Sequence, residues 1–347
     1  VSCPVSARIF FRLRAMAGPL LGLLVFASVI GGLVLVSYTL LPVSSAQSAV
    51  ADVIRIPPGA STREIGELLA ERGVVRNPRH FVLASRLLRL DGRLQAGDYE
   101  LSPAMSILAV LDRLASGEIA TVRVTIPEGS NSRDIARILE QHGLVDAERF
   151  RSLVAEGRDL VKDLLPFEIP IASLEGYLFP DTYRFPTSIG EEEIIRRMVS
   201  RVVKVVYPLI EQGRGRHQLS VHEITTLASI VEKEAMVDAE RPKIAGVFYN
   251  RLAHNLPLQS DPTVQYVMAN PRRHLYLRDL SIDSPYNTYR YRGLPPGPIA
   301  SPGLASIKAV LEPAETEYFY FVARGDGTHV FSRTYAEHVA ARRRLRR

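Results

Sequence analysis

The chain has 347 residues, 46% hydrophobic and 23% charged, a length for two or three domains and a composition that excludes long-range disorder and collagen-like structure. One cysteine, Cys3, excludes an internal disulfide framework and a zinc site built on several thiolates. The net charge of +6 leans on a terminal run, Arg342, Arg343, Arg344, Arg346 and Arg347, so the body is near balance and offers no basic stripe for nucleic acid.

In chain order, residues 1–18 form a short tail, 19–41 an uncharged run (PLLGLLVFASVIGGLVLVSYTLL) and 42–50 a linker. About 20 apolar residues suffice to cross the hydrocarbon as a helix, so 19–41 is expected to be a transmembrane anchor. Arg8, Arg12 and Arg14 precede it, and no charge follows until Asp52. That asymmetry predicts a single pass through the cytoplasmic membrane, with the tail in the cytoplasm and everything beyond the helix outside. A cleaved signal peptide is the competing reading, but its apolar core usually runs only about 7–15 residues. Nucleotide cofactors are scarce outside the cytoplasm, and no phosphate-cradling glycine loop is present to bind one.

Residues 54–75 align without gaps on 124–145. The identical pairs include Ile56/Ile126, Pro57/Pro127, Gly59/Gly129, Arg63/Arg133, Leu69/Leu139 and Gly73/Gly143. Each copy reads as a strand, a Pro-x-Gly turn and a helix. Ser61 with Glu64, and Asn131 with Asp134, form capping boxes at the helix starts, and Gly73 and Gly143 stop the helices. This unit resembles half of a LysM-type glycan-binding module; a packing scaffold without ligand is the plainer alternative. A helical stretch near 146–162, an ordered aromatic loop at 174–186 and a helix at about 190–212 follow.

The next helix opens on Ser220 and Glu223, another capping box, and carries an apolar stripe of Ile224, Leu227, Ala228, Val231 and Ala235. Glu232 and Glu234 flank that stripe about 200° apart, so they cannot act as a pair. Neither the i±3 nor the i±4 neighbours of Glu232 include a cation, which favours a protonated carboxyl suited to general acid work. Asp238 would raise the pKa of Glu234 as well, and the pattern alone does not choose between them; pairing with Lys233 or Arg241 would make both carboxylates merely structural. His222-Glu223 begins like a zinc helix, but Thr226 occupies the place of the second ligand, and no metal is expected. Downstream, 256–266, 284–303 and a hairpin ending near His329 set polar and aromatic residues on proline-stiffened loops, a composition suited to sugars.

These segments together, LEGYLFPDTY (174–183), LASIVEKEA (227–235), FYNRL (248–252), PLQSDPTVQY (257–266), YNTYRYRGLPPGPIASPG (286–303) and YFYFVARGDGTHVFSRTYAEH (318–338), resemble the endolytic murein transglycosylases of the MltG (YceG-like) family. The resemblance implies cleavage inside nascent peptidoglycan strands, between N-acetylmuramic acid and N-acetylglucosamine, with a 1,6-anhydro end left behind. It implies Glu232 as the catalytic acid and base, no cofactor, peptidoglycan as substrate and cell-wall polymerases as partners. Glu234 and Glu175 are expected in support, with Gln259, Asp261, Thr263, Asn287 and Tyr289 as substrate contacts. The expected architecture is α+β: a membrane helix, a duplicated LysM-like subdomain over 51–165, a mixed α/β catalytic domain over 166–340 and a basic tail at 341–347. Two rivals stay open. One is a non-catalytic wall-binding protein that docks a synthase. The other is a hydrolase in which Asp261 or Glu175 activates water beside the first carboxylate.

Overall fold

The first elements follow from local chemistry. Alternating Ile54 and Ile56 make strand β1 (Asp52–Ile56), and after the turn at Pro57 helix α1 (Thr62–Glu71) starts on Ser61, whose side chain accepts from the Glu64 amide while Glu64 returns the bond. The computed structural model of the chain describes residues 26, 28–31, 41–44, 50–213, 218–272 and 274–345. Most of the apolar run expected to span a membrane lies outside those residues; no helix among the described residues is long and apolar enough to cross one.

The described chain forms two units. The first comprises residues up to 121 with 186–188. Here β1 pairs antiparallel with β2 (Gly97–Leu101), Ile54 facing Tyr99, and α1, α2 (Pro78–Leu87) and α3 (Ile107–Ser116) complete the unit. Ile54, Leu69, Phe81, Tyr99, Leu101, Val110 and Leu114 form its core, all fully buried. Asp98 is nearly buried and accepts from the Arg55 guanidinium at 2.8 Å and from the Thr187 hydroxyl at 3.1 Å. Arg55 holds its carboxyl below the usual range despite burial.

The second unit holds 122–185 and everything from 189. It begins with β3 (Thr121–Thr125), α4 (Ser132–Gln141) and α5 (Ala147–Ala155), and β4 (Thr182–Pro186) joins β3 in a two-stranded sheet. Asn131 and Asp134 form the expected capping box, and Gly143, like Gly73, takes φ +69°. The domain boundary expected at 165 therefore lies within this unit. Val124, Ile126, Ile135 and Leu139 of the second copy share one core with Ile224, Leu227 and Val231, because a lone strand and helix cannot bury their apolar faces alone.

The helix expected over 190–212 is broken into α6 (Glu191–Val205) and α7 (Tyr207–Gly213), since Pro208 supplies no amide hydrogen and its ring crowds the preceding turn. Then come α8 (Val221–Glu234), α9 (Arg241–Ala253), α10 (Asp261–Val267) and α11 (Leu304–Leu311). The antiparallel hairpin β5 (Tyr320–Ala323) and β6 (His329–Ser332) precedes α12 (Tyr335–Leu345). The basic segment expected as a tail is helical through Leu345, as its Ala, Arg and Leu residues favour. Helix α8 is the buried centre: Ile224, Leu227, Ala228, Ile230 and Val231 are fully buried, with α9 and α11 packed on it.

Candidate active site

Helix α8 is fixed at its start by the Ser220 capping box, the Glu223 carboxylate accepting from the Ser220 amide at 2.8 Å. His222, which begins the zinc-like pattern, has both ring nitrogens engaged. The Tyr177 hydroxyl lies 2.8 Å from Nδ1, and the Pro296 carbonyl lies 2.8 Å from Nε2. Burial lowers its pKa, so the neutral tautomer with the proton on Nε2 satisfies both bonds.

At the other end of α8 the two carboxylates part company. Glu232 turns inward, its side chain 6% exposed. Its Oε2 accepts from the Gly303 amide at 3.0 Å and the Ser306 hydroxyl at 2.8 Å, at the start of α11. Its Oε1 pairs with the Arg241 guanidinium at 3.2 Å, and Arg241 in turn donates to Asp238 and Ser306. A carboxylate at that position offsets the positive end of the α11 dipole. Glu128 crowds the same helix start, close enough that a β-carbon on Gly303 would fall 2.1 Å from its carboxyl. Burial and the Glu232 charge push the Glu128 pKa up. The cation-free setting expected for Glu232 is thus corrected: the turn at 235–240 folds α9 back and delivers Arg241 to it.

Glu234 points the other way. Its Oε1 accepts from the Ser260 hydroxyl at 2.6 Å, and the residue lines a cleft of about 480 Å³ with Arg251, Gln259, Asp261, Tyr289 and Tyr320. Burial pushes its pKa from 4.5 up to about 7; the Ser260 bond opposes that shift and the Asp261 charge adds to it. A carboxyl of this kind holds or releases a proton near neutral pH, as a general acid and base must.

Of the substrate contacts expected, three line this cleft. Gln259 sits at φ +52°, a conformation rare outside glycine, held by its amide bond to the Thr288 carbonyl and by Arg251 on its Oε1. Asp261 accepts from the Tyr289 hydroxyl at 2.6 Å, and both line the cavity. Thr263 and Asn287 are corrections, since each is fully buried. Thr263 bonds to the Ser260 carbonyl and the Thr288 hydroxyl, while Asn287 donates to the carbonyls of Leu280 and Ile282. They brace the loops that carry Ser260 and Tyr289. Glu175 is 2% exposed and accepts from the Ser132 amide and hydroxyl, capping α4 away from the cleft lining. Its support is structural.

Sequence reasoning missed Arg251 and the far wall. Arg251 donates to the carbonyls of Phe319, Pro257 and Leu258, which ties the hairpin to the Gln259 loop, and stacks 5.0 Å from the Tyr320 ring centre. An arginine within the apolar FYNRL segment of α9 was the available signal.

The geometry agrees with what similar proteins are called. The sequence profile of the YceG-like family matches residues 54–344. An endolytic murein transglycosylase of Bacillus subtilis (strain 168) is 36% identical over 328 residues, covering 90% of each chain. One from Streptococcus pneumoniae serotype 2 (strain D39 / NCTC 7466) is 32% identical over 336 residues, 87% of this chain and 60% of that longer protein. A crystal structure of a YceG-like protein from Listeria monocytogenes superposes with a TM-score of 0.56 at 36% identity, over 85% of this chain and all of that one. With the profile spanning nearly all of the chain beyond residue 53, this protein belongs to the YceG-like family.

Proposed function

We propose that this chain is an endolytic murein transglycosylase in which Glu234, rather than Glu232, carries the protons. The observation that supports this assignment is the pKa of about 7 on a carboxyl that lines the cleft, against a Glu232 whose oxygens are occupied by Arg241, Gly303 and Ser306. Protonated Glu234 donates to the glycosidic oxygen as the bond to C1 of the N-acetylmuramic acid breaks. The C6 hydroxyl of the same sugar then closes on C1 and passes its proton to the carboxylate, leaving a 1,6-anhydro end and restoring Glu234. Water is not consumed and one carboxyl serves both transfers. Gln259 and Tyr289 offer hydrogen bonds to the sugars, and Tyr320 an apolar ring.

The remaining expectations belong to the same reading. The uncharged 19–41 run anchors the chain by one helix in the cytoplasmic membrane, with the cleft on the outer side where peptidoglycan is built. Cell-wall polymerases there would be its partners, and the first βα copy, LysM-like in pattern, would help retain the strand.

One observation favours a second reading. Asp261 shares the cleft with Glu234, so a hydrolase with two carboxyl groups has a candidate base. Digestion of purified strands in ¹⁸O-labelled water separates the two. Mass spectrometry is expected to find unlabelled anhydro ends; labelled reducing ends would establish hydrolysis, and intact strands would leave only a binding protein.

A further inference from the structure

One wall of the cleft has no part in the chemistry described so far. Helix α12 turns Tyr335, His338 and Arg342 toward the cavity, the i, i+3 and i+7 positions of one helical face. The Tyr320 ring packs against this face, 5.9 Å from Tyr335 and 5.4 Å from His338 between ring centres. The two arginines of the cleft differ sharply. Arg251 spends its donors on backbone carbonyls and Gln259, whereas Arg342 is exposed and makes no ion pair or hydrogen bond among the described residues. His338 Nδ1 is buried with no hydrogen-bond partner, an uncommon condition for a ring nitrogen. Burial, Arg342 and Arg251 all lower the pKa of His338, so the ring is neutral and the positive charge on this wall belongs to the arginines. With His338 neutral and its Nδ1 buried, the exposed Arg342 guanidinium is the group on this wall open to an anion.

We infer that the α12 wall is a subsite for a carboxylate on the peptide stem of a murein strand, with Arg342 as its ion-pair partner. This rests on the reading of the cleft as a murein site. Saccharide rings alone carry no charge that would need Arg342, whereas the stems attached to muramic acid end in carboxylates and alternate with bare sugars. Tyr335 and Tyr320 supply the apolar side of the same pocket. The neighbouring Arg343 and Arg344 occupy the last turn of α12 too, where a cation favours the helix dipole, but they do not line the cleft. They are therefore natural controls.

The test uses the full chain and two substrates: strands bearing stem peptides, and the same strands stripped by an amidase. Binding and the KM for cleavage are measured on both. Charge-assisted pairing should give the parent about a tenfold preference for peptide-bearing strands. Arg342→Ala should abolish that preference, Arg342→Glu should invert it, and Arg342→Lys should restore part of it, while Arg343→Ala should keep it. Arg342 is exposed, so its replacement should leave the fold intact, and matched melting curves check this. Cleavage of both strands alike by the parent, or an unchanged preference in Arg342→Ala, would overturn the subsite and leave the transglycosylase reading standing. Conversely, an Arg342-dependent binding preference without any cleavage would support the subsite and remove the enzymatic reading.

Discussion

Glu234→Gln is expected to lower the rate of strand cleavage by at least about 10²–10⁴, the usual worth of general acid–base help, because one group makes both proton transfers. The amide keeps the shape and can still meet the Ser260 hydroxyl, so the fold should survive. Stability should move the other way. The folded pKa of about 7 lies above the ordinary value of 4.5, the reverse of a salt-bridged carboxylate. Glu234 therefore costs nothing below the unfolded pKa, and its penalty grows as pH rises to about 7, then stays constant. The penalty at pH 8 is on the order of 3 kcal/mol, so Glu234→Gln should unfold at higher denaturant than the parent there and equally at pH 4. Parent activity should decline above neutral pH as the proton needed by the leaving oxygen is lost. Urea unfolding at the two pH values and rates of anhydro-end release are the measurements; a stable, fully active Glu234→Gln would contradict the assignment.

Glu232→Ala should do the opposite, with its main effect on the fold. Removing Glu232 leaves the buried Arg241 with only the exposed Asp238 carboxylate for an ion-pair partner and strips the Gly303 amide and Ser306 hydroxyl of their acceptor. A loss of about 3–5 kcal/mol is expected, read as a lower urea midpoint with an unchanged slope. Much of that cost comes from the buried guanidinium that loses its buried partner. Replacing both partners, Glu232→Met with Arg241→Met, should recover a good part of it. The rate per folded molecule should fall less than in Glu234→Gln. A Glu232→Ala chain as stable as the parent and devoid of cleavage would return the proton-carrying role to Glu232.

What was legible in the sequence was local. The capping boxes at Ser61, Asn131 and Ser220 needed only a four-residue spacing, and the hairpin around Gly325 and Gly327 needed only its turn glycines and flanking apolar strands. The choice between Glu232 and Glu234 was not local. Arg241 reaches Glu232 only after the chain reverses, and Ser260 and Asp261 come to Glu234 from a loop beyond α9. Helical geometry placed the carboxylates on opposite borders correctly, but it could not say which border faced a cation and which a cleft. Thr263 and Asn287 were misread for a similar reason. A polar side chain that braces a loop from within has the same composition signal as one that meets a ligand, and only burial separates them from Gln259 and Tyr289. The domain boundary moved because the second βα copy, although similar to the first in sequence, lends Val124 and Ile135 to the core beneath α8.

That Glu234 keeps its proton near neutral pH is the claim on which the chemistry rests, and the carboxyl itself reports it. With ¹³C-labelled glutamate, the side-chain carboxyl resonance absent from Glu234→Gln but present in the parent identifies Glu234, and its shift can be followed from pH 4 to pH 9. A midpoint near 7 is expected, falling toward the ordinary range in Asp261→Asn as the neighbouring charge is removed. A Glu234 resonance that titrates near 4.5 in the parent would contradict it, leaving Glu234 unable to protonate the leaving oxygen at neutral pH.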